Sequence, residues 1–315
     1  MEGEAIRRVL IIGAGTMGQQ IGWQCAAFGH DVVLYDISAA LLEDALHKID
    51  GYAAHVAAQG LAPAELCAAA RQRITATTDP QRAAQDVDLV SESVPEDPKL
   101  KGKVFGQFNS LCPPRTIFTT NTSTLLPSQF AKASGRPQQL LALHFHQPVW
   151  SANIVDVMPH KATDPQVTER VVAFAHSIGQ IPIQLQHESS GYVFNAMFSA
   201  VNREALTLAA NGVASVEDID RAWMGIMKMP LGPFGMMDLV GLDTVWHISD
   251  YWARRAFFLR QLKKNADFVR QYVQRGWLGI KSGRGFYSYP NPAFRAPDFI
   301  SRGTQAPNRP DDPSK

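Results

Sequence analysis

The 315-residue sequence predicts an α/β fold, a doubly wound sheet followed by an all-helical C-terminal region. Three observations support this prediction. Short apolar runs alternate with helical patterns through the first half of the chain, which is typical of a doubly wound sheet. A glycine-rich turn follows the first apolar run. The strand pattern disappears after Ser189 and only helical patterns remain.

The most informative segment is the first apolar run, the turn "GAGTMG" and the helical pattern behind it. The first glycine permits a tight turn, the second lets the backbone approach a pyrophosphate, and the third lets helix and strand pack closely. The helix then begins with free N–H groups that face the phosphates. The segment predicts a Rossmann-type dinucleotide-binding domain, and its predicted cofactor-binding residues are Gly13, Gly15, Thr16, Met17 and Gly18.

A second strand, residues 31–35, ends at Asp36, about 20 residues beyond the glycine turn. A carboxylate at this place can bond the ribose hydroxyls of the adenosine, and it repels a 2′-phosphate. Because no arginine follows closely, the sequence favours NAD over NADP as the cofactor. The alternative is that Asp36 is the N-cap of the next helix, a role that Ser38 can also fill.

The alternation continues through the sheet region. Helices are predicted at 41–58, 63–73, 97–111 and 166–178, and further strands in "RITATTD", "VDLVSESVPE", "TIFTTNTS", "LLALHFH", "NIVDVMP" and "QIPIQL". Ligands of such sheets bind beyond the carboxyl ends of the strands. The polar residues at these ends are Glu92, Glu96, Asn121, Ser123 and His144, and we assign Asn121 to the cofactor site.

The second half begins with the long helical pattern "GYVFNAMFSAVNREALTLAANG" and continues with "SVEDIDRAWMGIMKMP", which opens with a capping box from Ser215 to Asp218. We therefore predict an NAD-binding domain over residues 1–187 and a helical domain over 188–300. The polar, proline-rich residues 301–315 are predicted to form a disordered tail.

Composition and charge exclude several classes of protein. The net charge of +1 favours neither a nucleic-acid nor a membrane-surface partner. No apolar run is long enough to span a bilayer, and acids stand where a signal peptide has its basic region. The spacing of Cys25, Cys67 and Cys112 does not match that of metal-binding cysteines. The sequence therefore predicts three free thiols, which is typical of a protein in the reducing cytosol. We expect a cytoplasmic protein that acts on a small molecule.

Several motifs, taken in their order and spacing, resemble the L-3-hydroxyacyl-CoA dehydrogenase family. They are "GAGTMG", "NTSTL", "ALHFHQP", "GYVFN", "LGPFGMMDLVGLD" and "LGIKSGRGFYSY", and the likeness covers residues 9–289. The resemblance implies NAD-dependent oxidation of an L-3-hydroxyacyl-CoA to the 3-ketoacyl-CoA, and the reverse reaction. It also implies a homodimer, with the helical domain contributing to substrate binding and dimerisation.

The resemblance places the family's catalytic histidine on His144 and its acidic partner on Asp156, where the family usually has glutamate. The family's serine and asparagine fall on Ser123 and Asn195, and its nicotinamide-side acid and lysine fall on Glu96 and Lys101. Two departures lie beside the asparagine, since Tyr192 replaces the usual phenylalanine and Ala196 the usual arginine.

The implied mechanism agrees with the chemistry of the side chains. Oxidation of a secondary alcohol needs a base for the hydroxyl proton, and histidine titrates near neutral pH. A carboxylate on the far nitrogen of His144 holds its tautomer and stabilises the imidazolium that forms. Ser123 and Asn195 can hold the substrate oxygens, while NAD carries the hydride.

Each of these residues also has a simpler structural interpretation. Ser123 can cap the turn before "LLPSQF", and Asn195 can form hydrogen bonds within the protein core. Glu92 and Glu96 can be acids of solvent-exposed loops. His146 is expected only to line the cleft. A metal site of His144, His146 and Asp156 is conceivable, but the reaction already has its base and the cluster lacks a cysteine or further acid. We therefore expect no metal.

One region departs from the family in a way that concerns the substrate. Family members contact CoA through serine and lysine on the helix after the second strand, whereas residues 49–70 contain no lysine or arginine. Phosphate groups usually call for such cations. Either CoA is held elsewhere, or the substrate is a free 3-hydroxy acid, as for relatives acting on carnitine or gulonate. A third alternative is a non-catalytic NAD-binding protein similar to lens crystallin relatives.

Trp150 and Asn153 are expected to narrow the acyl pocket, which favours a short chain such as 3-hydroxybutyryl.

Overall fold

The computed structural model describes residues 5–60, 64–256 and 258–302. The chain divides into two compact units, Met1–Ala196 and Met197–Lys315. Most of the predicted tail, residues 303–315, lies outside the described residues. Within the described ranges, no helix combines the length and the apolar character that a membrane crossing requires.

The first unit is built on one eight-stranded sheet. Its strands are β1 (Arg8–Ile12), β2 (Asp31–Tyr35), β3 (Ile74–Thr77), β4 (Leu89–Glu92), β5 (Ile117–Thr120), β6 (Leu140–Phe145), β7 (Ile154–Pro159) and β8 (Ile181–Gln184). Their order is β3-β2-β1-β4-β5-β6-β7-β8, and every neighbouring pair is parallel except β6 and β7. The predicted doubly wound α/β fold is confirmed. The strand order reverses between β1 and β4, and sheets of this kind bind ligands at that switch point.

Six helices accompany the sheet: α1 (Thr16–Ala27), α2 (Ala39–Ala58), α3 (Ala64–Gln72), α4 (Pro80–Ala83), α5 (Pro98–Asn109) and α6 (Pro165–Ser177). Three of them start with the same local signal, an N-capping aspartate followed by proline at the first helical position. The aspartate accepts from free N–H groups of the first turn, and proline needs no partner there. The cap of α2 is Ser38, whose Oγ accepts from the backbone N–H of Leu41. The alternative that Asp36 caps this helix is therefore wrong.

The core lies on both faces of the sheet. Along β1, Val9 and Ile11 belong to one apolar cluster, while Leu10 and Ile12 belong to the cluster on the opposite face. Because helices cover both faces, the central strands β1, β4 and β5 are almost entirely buried, and β1 is recognisable in the sequence as the apolar run Val9–Ile12.

The second unit contains most of α7 (Phe194–Ala210), and then α8 (Val216–Met227), α9 (Pro233–Val240), α10 (Leu242–Arg255) and α11 (Arg260–Gln274). Two buried carboxylates link separate segments of this unit by accepting hydrogen bonds from backbone N–H groups. Asp220 accepts from the N–H groups of Phe234 and Gly235 at the start of α9, at 2.8 and 2.9 Å. Asp238 accepts from the N–H groups of Phe286 and Tyr287, both at 2.9 Å. These acids therefore join the "GPFGMMD" and "GRGFYSY" motifs.

Candidate active site

His144 and Asp156 face each other across the antiparallel pair of β6 and β7, where the two residues are direct partners in the register. Nδ1 of His144 lies 3.1 Å from Oδ2 of Asp156, and both residues are buried, at 3% and 1% exposure. The shorter aspartate thus reaches the histidine without the extra methylene of a glutamate. With Nδ1–H donated to the carboxylate, Nε2 of His144 has no hydrogen-bond partner in the described part of the chain and keeps its lone pair.

His146 bonds the same carboxylate oxygen. Its Nε2 lies 3.2 Å from Oδ2 of Asp156, and its ring lies edge-on to that of His144, with the centroids 4.7 Å apart. Burial acts to raise the pKa of Asp156, but the hydrogen bonds from the two imidazoles outweigh it, so this pKa lies below its ordinary value. The sequence placed His146 in the cleft but did not reveal this bond.

The donor set of His144, His146 and Asp156 has the chemistry of a zinc site, and the ligand atoms lie within 4.8 Å of one another. Both imidazole nitrogens, however, are directed at Oδ2 of Asp156. With an N–H on each of these nitrogens, the carboxylate oxygen accepts two hydrogen bonds.

Tyr192 covers the face of His144. The two rings are stacked at 4.7 Å with an interplanar angle of 27°, and Tyr192 is only 2% exposed. Its backbone has a φ of 54°, the left-handed region that non-glycine residues seldom adopt. Its buried hydroxyl has no hydrogen-bond partner among the described residues. Burial, followed by the nearby acid Glu96, raises the pKa of Tyr192, so the side chain stays neutral.

Glu96 organises the "NTST" loop after β5. Its Oε1 accepts from the backbone N–H groups of Ser123 and Thr124, at 3.0 and 3.1 Å, and from the hydroxyls of Thr122 and Thr124. Burial acts to raise the pKa of Glu96, but these hydrogen bonds and the charge of Lys101 lower it overall. The turn is capped by Thr122, whose Oγ1 accepts from the N–H groups of Thr124 and Leu125. The capping alternative for Ser123 is therefore wrong, and its side chain is exposed.

Glu92 and Lys101 form a buried ion pair with 2.7 Å between Oε1 and Nζ, and their side chains are 0% and 1% exposed. Glu92 also accepts from the N–H of Val94 and from the hydroxyl of Thr120. Burial raises the pKa of Glu92, against the opposing effect of Lys101. The alternative of a solvated loop acid is wrong for Glu92, whose full burial at the end of β4 was not apparent from the sequence. Lys101 also lies 3.4 Å from Glu96, so it bridges the two acids.

A pocket of about 300 Å³ opens at the carboxyl ends of β4 and β5, and it is lined by Met17, Ser93, Val94, Glu96, Lys101, Asn121, Ser123 and Thr124. Five of these residues were predicted as site residues from the sequence. Asn121 connects the pocket to the histidine strand, because its Oδ1 accepts from the N–H of Phe145, 2.8 Å away. Asn195 is half-buried in the first turn of α7, and no hydrogen bond among the described residues joins it to the other predicted catalytic residues.

The glycine turn has the geometry that a dinucleotide requires. Gly13 has a φ of 103°, and a Cβ on Gly18 would lie 1.9 Å from the carbonyl oxygen of Gly13, whereas a Cβ on Gly15 would meet no atom within 4 Å. Gly15 provides no side-chain cap, and the first turn of α1 contains no acid, so its N–H groups suit an anion. Asp36 accepts from the N–H groups of Ala14 and Ser38, both at 3.0 Å, which holds its carboxylate beside the turn.

Trp150 packs against α1 and α2. Its ring lies 5.6 Å from that of Trp23 and 5.0 Å from that of Tyr52, and it contacts the larger apolar cluster of the sheet. These contacts account for Trp150 as a packing residue, and they give no support to the expectation that it narrows an acyl pocket.

Comparison with known proteins identifies the family of this chain. The family model "3-hydroxyacyl-CoA dehydrogenase, NAD binding domain" matches residues 8–189, and the corresponding C-terminal domain matches residues 191–289. A probable 3-hydroxybutyryl-CoA dehydrogenase of Bacillus subtilis is 31% identical over 284 residues, covering 90% of this chain and 98% of that protein.

Solved structures are similar over almost the same length. A diketoreductase, described as acting on dicarbonyl compounds, has a TM-score of 0.85 and 37% identity, covering 91% of this chain and 100% of its own. (S)-3-hydroxybutyryl-CoA dehydrogenase from Ralstonia eutropha has a TM-score of 0.81 and 29% identity, with the same coverage. The resemblance seen in the sequence is confirmed, and the chain belongs to the 3-hydroxyacyl-CoA dehydrogenase family, whose N-terminal domain binds NAD.

Proposed function

We propose that the protein catalyses the NAD-dependent oxidation of a short-chain L-3-hydroxyacyl-CoA, such as 3-hydroxybutyryl-CoA, and the reverse reduction. The observation that carries this proposal is the buried His144–Asp156 pair, which Asn121 connects to the pocket at the strand ends. Family members named for 3-hydroxybutyryl-CoA support the substrate class.

In this reaction His144 is the general base. Its Nε2 takes the proton of the substrate hydroxyl, and Asp156 stabilises the imidazolium through Nδ1–H. Ser123, exposed on its loop, and Asn195 bind the substrate oxygens and polarise the ketone in the reduction. When bound, NAD supplies the hydride acceptor, held by the glycine turn, Asp36 and the pocket residues. Tyr192 covers His144 and excludes water from the ring face.

A second candidate is the oxidation of a free 3-hydroxy acid, or the reduction of a free dicarbonyl compound. It is favoured by the absence of lysine and arginine from residues 49–70 and by the similarity to a diketoreductase. The base, the carboxylate and the cofactor site are the same for both candidates. They differ in whether the substrate carries the phosphate groups of CoA, for which cations are the usual partners.

A panel of substrates separates the candidates. NADH oxidation is measured with acetoacetyl-CoA, with acetoacetate and with further free 3-keto acids, using His144→Ala as the control without a base. The proposal expects turnover with the thioester and a kcat/KM far above that for the free acids. Good turnover with free acids alone establishes the second candidate. No turnover with any compound, despite tight NADH binding, identifies a non-catalytic NAD-binding protein.

We further propose that the protein is a homodimer in the cytosol. The helical unit exposes several large apolar side chains that association would remove from water, among them Ile226, Met227, Leu239, Ile248 and Trp252. The three cysteines are buried and unpaired, which suits a reducing compartment. Sedimentation equilibrium tests the stoichiometry, and a monomer at micromolar concentration contradicts it.

A further inference from the structure

We propose that His144, His146 and Asp156 form an inhibitory binding site for a divalent transition metal ion such as Zn²⁺. The ion takes the place of the two protons that lie between the imidazoles and Asp156, and it leaves His144 unable to act as a base. The proposed reaction needs no metal, so the ion is an inhibitor and not a cofactor. The inference rests on the proposed function only in taking His144 as the base.

The spacing of the three ligand atoms suits a tetrahedral ion. Oδ2 of Asp156 lies 3.1 Å from Nδ1 of His144 and 3.2 Å from Nε2 of His146, and the ligand atoms all lie within 4.8 Å of one another. Zinc bonds of about 2.0–2.1 Å place neighbouring ligand atoms of a tetrahedron about 3.3 Å apart. The two oxygen–nitrogen separations therefore already match those of a zinc site closely.

The ligands are held in place by the fold. His144 and Asp156 are direct partners in the register of β6 and β7, and His146 follows immediately after β6. The ring of Tyr192 stacks on His144, and the ring of Phe194 lies edge-on to His146 with the centroids 5.6 Å apart. A site that is ordered in advance loses little conformational entropy when an ion binds.

The donor set selects the kind of ion. Two imidazoles and one carboxylate suit zinc and its neighbours among the transition metals, whereas Mg²⁺ and Ca²⁺ prefer oxygen ligands alone. A three-ligand protein site leaves the fourth zinc position to water. The ion reaches the cluster past His146, whose side chain is 16% exposed, while those of His144 and Asp156 are 4% and 2% exposed.

The charge around the cluster favours a cation. Burial raises the pKa of Tyr192, which stacks on His144, and the nearby carboxylate of Glu96 raises it further. Lys101 is bonded to Glu92 and Glu96, so two carboxylates share one ammonium group and an excess of negative charge remains. Such an excess stabilises a positive ion beside it.

Binding of the ion blocks the base by moving a proton. Without metal, Nδ1 of His144 carries the proton and its Nε2 keeps the lone pair that accepts the substrate proton. With zinc on Nδ1, the proton of the neutral imidazole moves to Nε2, and that lone pair is no longer available. His146 likewise moves its proton from Nε2 to Nδ1, so no proton is released. In the reduction, zinc on Nδ1 prevents His144 from becoming the imidazolium that donates a proton.

Metal binding can be measured without turnover. Titration with Co²⁺ should give the visible absorption bands of a four-coordinate ion, one ion per chain, and Zn²⁺ should remove them. His146→Phe deletes one ligand and keeps an aromatic ring against Phe194. It should weaken Zn²⁺ binding, measured by calorimetry, by roughly tenfold or more, since loss of even an outer-shell partner typically has an effect of that size. His187→Gln, at an exposed histidine outside the cluster, is the matched control and should bind Zn²⁺ like the unaltered protein.

Inhibition is measured through NADH oxidation, with each rate expressed relative to that of the same protein in EDTA. Zn²⁺ should inhibit the unaltered protein and His187→Gln, EDTA should restore both, and Mg²⁺ should have no effect. The Zn²⁺ concentration for half-inhibition should rise in His146→Phe by the same factor as the dissociation constant. If circular dichroism shows that His146→Phe does not fold, His146→Ala serves as the variant without the ligand.

The outcomes separate the inference from the proposed function. Equal Zn²⁺ affinity in His146→Phe and the unaltered protein, or a Co²⁺ spectrum without four-coordinate bands, overturns the metal site. Zn²⁺ that binds through His146 without lowering the rate overturns the inhibition. Zn²⁺ binding that depends on His146, in a protein that turns over no substrate, keeps the metal site and overturns the proposed function instead.

Discussion

Asp156 accepts a 3.1 Å hydrogen bond from His144 across two antiparallel strands, at positions that are direct partners in the sheet. Both residues lie inside regular strands, so the contact depends on backbone pairing as well as on the two side chains. The pair thereby has a defined geometry before substrate binds, which is what a general base and its orienting carboxylate require.

Replacement of this carboxylate by its amide tests the pair. We expect Asp156→Asn to lower kcat for the oxidation by about 10²- to 10⁴-fold, because the imidazolium loses its counter-charge and the tautomer of His144 is no longer held. NADH affinity, measured by fluorescence titration, should stay within a few-fold of that of the unaltered protein. A large loss of NADH affinity would instead assign Asp156 a structural role.

Two glycines of the turn form a matched pair for mutation. A Cβ on Gly18 would lie 1.9 Å from the carbonyl oxygen of Gly13, so Gly18→Ala should lower the unfolding temperature by many degrees or prevent folding. A Cβ on Gly15 meets no protein atom within 4 Å, so Gly15→Ala should fold normally. Its methyl group should nevertheless weaken NADH binding, because the backbone no longer approaches the pyrophosphate closely. Equal NADH affinity in Gly15→Ala would remove the turn from the cofactor site.

Asp36 is the expected determinant of cofactor choice. Asp36→Ala should raise the KM for NAD by roughly tenfold, the loss expected for one hydrogen bond to a charged acceptor. Turnover with NADP should rise, because the repulsion of a 2′-phosphate is removed. Asp36→Asn is the control that keeps a hydrogen-bond acceptor without the charge. An unchanged ratio of kcat/KM for the two cofactors contradicts the ribose assignment.

The buried ion pair can be tested through stability. Lys101→Met leaves Glu92 buried without a counter-charge and should lower the free energy of unfolding by about 3–5 kcal/mol, measured by urea denaturation. The double variant Lys101→Met, Glu92→Gln should recover much of this loss, since no unpaired charge remains. Equal stability of the two variants would show that the charge of Glu92 is not the cause.

Asp220 makes the stability of the helical unit depend on pH. Burial raises its pKa from 3.8 to about 6, so the folded state holds the proton more tightly than the unfolded state. Its contribution to stability is therefore largest below pH 4 and falls as the pH rises to 6, by a total on the order of 3 kcal/mol. Asp220→Asn should remove this slope from urea denaturation curves recorded between pH 4 and pH 6.5. The same slope in both proteins would assign the pH dependence to other groups.

Much of the fold was predictable because its signals are local. All eight strands were predicted, because each lies in a short segment with apolar residues that alternates with helical patterns. The predicted helices at 97–111 and 166–178 differ only slightly from the observed α5 and α6, each of which begins after a capping aspartate, Asp97 or Asp164. The short helix α4, a single turn at residues 80–83, was missed because four residues carry no periodic pattern.

The sequence by itself determined the Rossmann-type fold, the glycine turn, the acid after β2 and the strand ends that carry the site, because each depends on residues close together in the chain. Only the tertiary structure decided which distant side chains share a partner. It placed His146 on the oxygen used by His144, buried Glu92 against Lys101, and stacked Tyr192 on the histidine. Strand register and burial decide these contacts, and neither leaves a periodic pattern in a single sequence.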